Sequence, residues 1–251
     1  MNTKVQKDGY GTFGNLSKTY DEIRPTMPDQ IIDDLFSHLP KQPRILDVGC
    51  GTGIITRQLS KRGAVVTGTD IDARMIEEAK QYLKKIDYLV APTEMLPLAD
   101  SVFDAVTAFS AFHWFANTQA LGETKRALKN GGYLFIANRN QVGNFRKEYL
   151  QVLQSFVKKP LPNAKQNYKP ANLLKSAGFV SILEKKLPVV ENLSIEQALT
   201  YVRSTSLWNL IPKSRKQEAE NTLMKFFADH ETRGFVQRPI EIQTVIGQKL
   251  L

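Results

Sequence analysis

Three glycines that follow a short apolar segment are the residues best suited to bind a ligand, in the run Asp47-Val48-Gly49-Cys50-Gly51-Thr52-Gly53. Glycine has no Cβ, so this loop lets a ligand approach the backbone closely, and the helix predicted after it offers unpaired N–H groups. Asp70 ends the next predicted strand, 17 residues after Gly53 (70 − 53 = 17), where its carboxylate can accept hydrogen bonds from both hydroxyls of a ribose. The spacing predicts a nucleotide site. Because Ile54 stands where the dinucleotide fingerprint needs a third glycine, the spacing disfavours NAD.

A second candidate is the pair His113 and Trp114, which follows the fourth predicted strand. Open α/β sheets bind ligands beyond the carboxyl ends of their strands, so both side chains are expected near a ligand. His113 is compatible with three roles, namely a general base, a direct contact to a ligand, or a cap of the following helix. Trp114 is compatible with lining the site, with contacting a cationic group, or with ordinary packing.

Helical and strand-like patterns alternate along the chain and must position these residues. Helices are predicted over Pro28–Leu39, Ile54–Arg62, Ala73–Lys84, Thr118–Leu128, Phe145–Val157, Pro170–Ala177, Ile195–Leu207 and Lys213–His230. Strands are predicted over Arg44–Val48, Ala64–Asp70, Ile86–Ala91, Phe103–Phe109, Tyr133–Asn138, Phe179–Val190 and Pro239–Lys249, with a turn at Asn130-Gly131-Gly132. The alternation predicts an α/β, Rossmann-like, doubly wound sheet of seven mostly parallel strands, with a helical cap and an N-terminal lid.

The same patterns divide the chain into three parts. Residues 1–30 are expected to form the lid, and residues 31–140 the Rossmann-like core that binds the nucleotide. Residues 141–251 are expected to supply the remaining strands, with the helical cap inserted at about residues 191–235. Tyr20 and Arg24 lie four apart before Pro25, and we expect them on the lid, with Arg24 either pairing with a carboxylate or solvated at the surface.

Composition narrows the classes of function. The net charge of +9 fits a basic solvated surface, which we favour, or an anionic partner such as nucleic acid or a charged small substrate. No apolar run approaches the roughly 18–20 residues that span a bilayer, and the N-terminus lacks the apolar stretch of a signal peptide. Cys50 is the single cysteine, so the sequence predicts a cytoplasmic protein without a membrane partner or a disulfide within the chain. The three histidines lack metal-binding spacing, so no metal is expected.

Several segments resemble one family of enzymes. Ile45–Gly53 resembles motif I of the class I methyltransferases that use S-adenosylmethionine (SAM). The chain is similar to their type 11 family through Phe13–Pro25 (FGNLSKTYDEIRP), Ala91–Leu98 (APTEMLPL), Phe103–Phe115 (FDAVTAFSAFHWF) and Gly131–Phe135. The H-W-F segment resembles the small-molecule enzymes similar to trans-aconitate methyltransferases, which methylate carboxylates.

The resemblance implies roles for named residues. The methionine part of SAM would lie against Asp47 and the loop of Gly49, Cys50, Gly51 and Gly53. Asp70 would hold the ribose, Ile71 would pack on the adenine, Thr93 and Glu94 would lie at the adenine edge, and Phe109 would close the site. The methyl acceptor is expected near Tyr20, Arg24, His113, Trp114 and Trp208, although helix packing is the alternative for Trp208.

The resulting prediction is a SAM-dependent methyltransferase (EC 2.1.1.-), monomer or homodimer, that acts on a small-molecule carboxylate, hydroxyl or amine. Methyl transfer from a sulfonium has a strong leaving group, so orientation and exclusion of water can supply much of the acceleration. His113 is the candidate catalytic residue. An RNA- or ribosome-directed methyltransferase and a non-catalytic SAM-binding protein are the alternatives.

Overall fold

The computed structural model describes Asp21, residues 23–82 and residues 85–250 of the 251-residue chain. Its helices are α1 (Asp29–Phe36), α2 (Ile54–Lys61), α3 (Ala73–Tyr82), α4 (Thr118–Ala127), α5 (Gly143–Gln154), α6 (Pro170–Ser176), α7 (Ile195–Arg203) and α8 (Lys216–Asp229). Its strands are β1 (Arg44–Val48), β2 (Val65–Asp70), β3 (Asp87–Val90), β4 (Phe103–Phe109), β5 (Leu128–Gln141), β6 (Phe179–Leu193), β7 (Glu231–Thr232) and β8 (Phe235–Lys249).

The strands form one sheet in the order β3-β2-β1-β4-β5-β8-β6, and the short β7 pairs with β8 in antiparallel fashion. β1 pairs in parallel with β2 and with β4, β2 pairs in parallel with β3, and β4 with β5. The predicted α/β fold with a seven-stranded, mostly parallel sheet is therefore confirmed, including the neighbouring positions of the last two long strands.

The apolar segments that predict the central strands are buried. In β1, Arg44 is exposed and the four residues that follow it are buried. Leu46, Val106 and Leu134, one from each of β1, β4 and β5, have no exposed surface and belong to one core cluster. Parallel strands covered on both faces need such continuous apolar sequences. This core fixes β1 and β4, whose carboxyl ends carry the candidate site residues.

The predicted turn around Gly131 is wrong, because β5 continues through it. Phe103 of β4 pairs with Leu128, and the next partners along the strands are Ala105 and Tyr133, so the extra residues form a bulge in β5. Gly131 has φ +76°, a left-handed conformation that glycine adopts without strain. The glycines do mark a local irregularity of the backbone. Because β5 pairs in parallel with β4 on both sides of it, the irregularity is a bulge within one strand.

β8 begins at Phe235, earlier than the predicted start at Pro239. Buried and more exposed residues alternate along its first half, with Val236, Arg238 and Ile240 on the buried side. A strand shows itself in a sequence by apolar residues at every second position. The buried arginine interrupts that signal, which explains why the sequence pattern places the start of the strand too late.

The chain forms two compact units, which we describe separately. Among the described residues, unit 1 comprises Asp21, Ile23 and Arg24 with Arg139–Asn163 and Leu187–Ile242, and unit 2 comprises Pro25–Asn138, Ala164–Lys186 and residues 243–250. The cap predicted at about residues 191–235 lies within unit 1, whose apolar core includes Leu153, Val202 and Phe227. No helix in the described part of the chain combines the length and apolar character needed to cross a membrane.

The predicted N-terminal lid lies largely outside the described residues. This applies to Tyr20, so its predicted contact with the acceptor stays a prediction. It also applies to the end of the helix predicted over Ala73–Lys84, beyond Tyr82. The described part of the N-terminal region shows α1 beginning directly after Pro28, a residue that cannot donate a backbone hydrogen bond within a helix.

Gly49 is a position where we expect a side chain to be poorly tolerated. Its φ is +66°, and a Cβ built there would lie 2.6 Å from the Cβ of Ala111 and 3.0 Å from the ring of Phe115. Gly49→Ala should lower the free energy of unfolding by at least about 1–3 kcal/mol. Gly122→Ala is the control, since Gly122 is exposed in α4 with no described neighbour within 4 Å of its Cβ position. It should raise stability by about 0.5–1 kcal/mol. Urea unfolding that shows the same change for both variants would contradict this account.

Candidate functional site

The candidate residues of unit 2 meet at the carboxyl ends of β1 and β4, adjacent strands in the middle of the sheet. From β1 the order continues through β2 to one edge, and from β4 it continues through β5 toward the other. Ligands of open α/β sheets bind at such a switch point. The close approach of Gly49 to Ala111 and Phe115 shows that the glycine loop and the segment after β4 lie together there.

Asp47 is buried at this point and joins three elements. One carboxylate oxygen accepts a hydrogen bond from the Thr56 hydroxyl of α2 at 2.7 Å, and the other accepts from the Thr107 hydroxyl of β4 at 2.9 Å. Burial raises the pKa of Asp47 to about 6, although both hydrogen bonds favour the ionised form. The carboxylate predicted to face the methionine part of the cofactor is therefore engaged within the protein, where it fixes the start of the glycine loop.

The glycine loop has backbone angles that glycine adopts without strain. Gly49, Gly51 and Gly53 all have positive φ, at +66°, +56° and +78°. A Cβ at Gly53 would lie 2.4 Å from the hydroxyl oxygen of Tyr88, whereas at Gly51 no described atom comes within 4 Å. Gly51 is thus the loop residue with space for a ligand. Cys50 packs its side chain beside the cluster that contains Tyr88, so the backbone is the part of Cys50 that remains suited to a cofactor.

Asp70 links the end of β2 to the loop. One oxygen accepts a hydrogen bond from the Gly51 N–H at 2.9 Å, and the other accepts from the Asp72 N–H at 2.9 Å. Burial raises the pKa of Asp70, and these backbone bonds act in the opposite direction. A carboxylate oxygen can accept more than one hydrogen bond, so both oxygens keep capacity for ligand hydroxyls.

The residues expected around the adenine have mixed environments. Ile71, directly after the carboxylate that ends β2, exposes 54% of its surface, an unusual degree for an isoleucine, and Val90 at the end of β3 exposes 53%. Thr93 is buried, and Glu94 accepts a hydrogen bond from the Asn117 side chain at 2.9 Å. The exposed side chains of Ile71 and Val90 offer an apolar surface on which an adenine could pack, and Glu94 lies at the start of α4.

The chain turns sharply where β4 ends. Phe109 packs on Phe135, with ring centroids 5.9 Å apart. The next residue, Ser110, has φ +54° and donates its backbone N–H to the Ala137 carbonyl at 2.7 Å. A serine in the left-handed region stores backbone strain, which is commonly retained at ligand sites. Nothing in the sequence marks Ser110, because only the backbone angle distinguishes it.

His113 lies among aromatic rings in the short 3₁₀ turn Phe112–Trp114. The ring centroids lie 4.9 Å from His113 to Trp114 and 6.0 Å from His113 to Tyr168. Burial, and then the positive charge of Lys165, lower the pKa of His113 to about 3. The imidazole is therefore neutral at neutral pH and is a weak base.

The capping role considered for His113 is wrong. α4 begins after Asn117, whose side-chain oxygen accepts a hydrogen bond from the Ala120 N–H at 2.9 Å. Asparagine is among the residues that cap helices best, because its short side chain reaches the unpaired amides of the first turn. Within the described ranges, no three histidine, cysteine or acidic residues are grouped so that they could hold a metal ion.

In unit 1, Arg24 donates to the Tyr201 hydroxyl at 3.0 Å and to the Ser204 carbonyl at 3.2 Å. These contacts tie the described end of the N-terminal segment to the region around α7. Trp208 is only 5% exposed and packs in the apolar core of the unit, with Lys216 above its ring. The packing alternative therefore fits Trp208 better than the predicted contact with the acceptor.

Unit 1 also contains a charged cluster that the sequence analysis missed. The guanidinium of Arg238, a residue only 4% exposed, lies 3.1 Å from a Glu191 oxygen and 3.5 Å from the centroid of the Tyr201 ring. Arg139 also pairs with Glu191. Burial would raise the pKa of Tyr201, but the charges of Arg24 and Arg238 outweigh it and lower that pKa to about 8. These residues lie far apart in the chain, so no local spacing reveals them.

The neutral state of His113 has a consequence for acid stability. The unfolded chain takes up a proton on this residue as the pH falls through 6.5, whereas the folded protein takes it up only near pH 3. The free energy of unfolding should therefore fall across that window, and His113→Gln should reduce its dependence on pH there. Urea unfolding at several pH values measures the effect. NMR of the imidazole should show no titration of His113 above pH 4, and a transition near pH 6.5 would contradict the assignment.

Comparisons with known proteins agree with this arrangement. The type 11 family model, described as a methyltransferase domain, matches residues 46–136. An uncharacterized methyltransferase of Mycobacterium tuberculosis (strain H37Rv) is 34% identical over 148 residues, which are 59% of this chain and 58% of the relative. An uncharacterized methyltransferase of Schizosaccharomyces pombe is 29% identical over 213 residues, covering 82% of this chain and 83% of the relative. The malonyl-(acyl-carrier protein) O-methyltransferase of Enterobacter lignolyticus is 34% identical over 125 residues, 49% of each chain.

Solved structures share the fold. A proposed type II methyltransferase from Anaeromyxobacter dehalogenans has a TM-score of 0.66 at 18% identity and covers 90% of this chain and 97% of its own. Phosphoethanolamine N-methyltransferase 2 of Haemonchus contortus, solved with SAM, has a TM-score of 0.55 at 20% identity and covers 95% of this chain and 57% of its own. The match over residues 46–136, which includes the glycine loop and Asp70, makes this part of the chain similar to the methyltransferase domain of type 11, and the chain spans a little over half the length of the Mycobacterium tuberculosis relative.

Proposed function

We propose that the chain transfers the methyl group of SAM to a carboxylate oxygen of a small molecule. The observation that carries the proposal is the backbone of Gly51. Space lies above it among the described residues, and its N–H is hydrogen-bonded to the carboxylate of Asp70 at 2.9 Å. A nucleoside can approach such a loop while the neighbouring carboxylate holds its sugar.

The residues at the switch point fit the parts of SAM. Gly49 and Gly51 offer backbone to the methionine part, Asp70 offers carboxylate oxygens to the ribose hydroxyls, and the exposed side chain of Ile71 offers an apolar surface to the adenine. Asp47 keeps the loop in place through Thr56 and Thr107. When bound, SAM supplies a methyl group activated by its positively charged sulfur.

A carboxylate suits the side chains at the carboxyl end of β4. A hydroxyl or an ammonium acceptor has to lose a proton, whereas a carboxylate is already ionised at neutral pH. His113, with its pKa of about 3, is too weak a base to take such a proton efficiently. Asp47 is only 2% exposed and holds Thr56 and Thr107, so its carboxylate is shielded from an acceptor. A neutral imidazole can still form a hydrogen bond with the acceptor molecule and orient it. His113 therefore acts in this proposal as an orienting contact, and the residue's role as general base is not required.

Two resemblances agree with an oxygen acceptor. The relative from Enterobacter lignolyticus is named as an O-methyltransferase, and it shares 34% identity over 125 residues. The segment of His113, Trp114 and Phe115 resembles enzymes similar to trans-aconitate methyltransferases. Two alternatives are separated by the experiments below. One is an RNA-directed enzyme, which the net charge of +9 would suit, and the other is a non-catalytic SAM-binding protein.

Asp70 provides the test of the cofactor site. Asp70→Asn should weaken binding of S-adenosylhomocysteine by about 10- to 100-fold in calorimetry, since hydrogen bonds to a charged group contribute about 1.5–3 kcal/mol each. Asp87→Asn is the matched control, because it makes the same chemical change on an exposed residue at the opposite end of the adjacent β3. Its affinity should equal that of the wild type. Equal affinities for all three proteins would remove Asp70 from the site.

The acceptor class is tested with radiolabelled SAM. We expect methyl esters from a panel of di- and tricarboxylates that includes trans-aconitate, and no product from matched alcohols and amines. Because no base is needed, kcat should stay level between about pH 6 and 8, whereas a reaction that depends on deprotonating the acceptor slows about tenfold for each pH unit below the pKa involved. A methylated amine or RNA would refute the carboxylate assignment. SAM binding without turnover of any acceptor would favour the non-catalytic alternative.

A further inference from the structure

Asn138 is a buried polar residue whose side chain makes no hydrogen bond of full geometry within the described part of the chain. It follows the residue of β5 that pairs with Phe109, so it lies at the carboxyl end of the sheet beside the end of β4. The residue is 1% exposed, and among the described residues neither its side-chain nitrogen nor its oxygen has a hydrogen-bond partner. Buried amides are nearly always hydrogen-bonded, because desolvation without compensation is unfavourable.

Two further side chains with unused polar atoms lie beside it. The Nδ1 of His113 and the hydroxyl of Tyr168 are buried and lack a hydrogen-bond partner within the described part of the chain. The ring centroids of His113 and Tyr168 are 6.0 Å apart in an edge-to-face arrangement. A side-chain hydrogen bond with Asn138 opposes the larger effect of burial on the pKa of both His113 and Tyr168, so the amide of Asn138 lies within reach of each. Neither contact has the distance and angle of a full hydrogen bond, so the three side chains satisfy one another only in part.

The chemistry of the three groups defines what they can bind. The asparagine amide and the tyrosine hydroxyl can each donate and accept hydrogen bonds. A neutral imidazole nitrogen either donates or accepts, according to the tautomer. A carboxylate only accepts, so it would leave the amide oxygen of Asn138 unsatisfied. A carboxamide or a hydroxyl both donates and accepts, and it could satisfy all three side chains.

We propose that His113, Asn138 and Tyr168 form a recognition site for an uncharged group that both donates and accepts hydrogen bonds, a carboxamide or a hydroxyl. The identification of its ligand as the methyl acceptor rests on the proposed function. On that basis the acceptor is a carboxylic acid that carries such a second polar group, and Asn138 and Tyr168 determine specificity without taking part in methyl transfer.

The test uses the full chain labelled with ¹⁵N and acetamide as the probe. The side-chain amide signals of Asn138 are assigned by their loss in Asn138→Leu. Titration with acetamide should move them in a saturable manner, and acetate at the same concentrations should not. Tyr168→Phe, which removes one oxygen, should weaken acetamide binding at least several-fold. Tyr149→Phe is the matched control, since it removes a buried hydroxyl without a described partner from unit 1, and it should leave the titration unchanged.

The outcomes are distinct from those of the cofactor experiments. Signals of Asn138 that do not move with acetamide, or that move equally with acetate, would overturn the proposal. So would equal acetamide binding by the wild type and Tyr168→Phe. Where Asn138→Leu does not fold, selective labelling of asparagine replaces it for assignment, and Tyr168→Phe still decides. The titration needs neither SAM nor turnover. A failure of S-adenosylhomocysteine to bind would therefore refute the proposed function and leave this result standing.

Discussion

The buried carboxylate of Asp47 is the interaction on which the site in unit 2 depends. It sits at the end of β1 and receives one hydroxyl from α2, through Thr56, and one from β4, through Thr107. Burying a charge is unfavourable, as its raised pKa shows, and the two hydroxyls offset part of that penalty only when all three elements are in register. The same contacts determine where the glycine loop leaves the sheet. A change in any one of the three elements would therefore be felt at the loop.

The two compact units bury different kinds of polar group: uncharged side chains in unit 2 and an ion pair in unit 1. In unit 2, His113, Asn138 and Tyr168 are kept uncharged, and burial of the imidazole maintains its neutral form. In unit 1, the guanidinium of Arg238 pairs with the Glu191 carboxylate and lies over the ring of Tyr201. Neutral groups give direction to a ligand through hydrogen bonds, whereas charged groups give attraction over a longer range.

The sequence predicts the central fold, and it marks the candidate cofactor residues, because both signals are local. Gly51 and Asp70 are marked by glycine spacing and by the end of a strand, and the structure joins them by one hydrogen bond. The remaining features depend on contacts between distant segments. From its residue type alone, Arg238 is expected at the surface. The structure instead places it against Glu191, which lies 47 positions earlier (238 − 191 = 47). The strain at Ser110 leaves no trace in residue type at all. Local patterns thus predicted elements and their order, while tertiary contacts decided the bulge in β5 and the charged cluster.

The position of β8 has a consequence for biosynthesis. In the sheet it lies between β5 and β6, yet along the chain it follows both. While the polypeptide is being translated, β5 therefore keeps an unpaired edge, and β6 has no neighbouring strand to join, until the residues of β8 leave the ribosome. Open strand edges can pair with other chains, so the nascent protein is exposed to aggregation while the segment between β5 and β8 is being made. Completion of the sheet is then a late step, and chaperones that shield strand edges should matter more for the yield of this protein than for one whose strands pair in chain order.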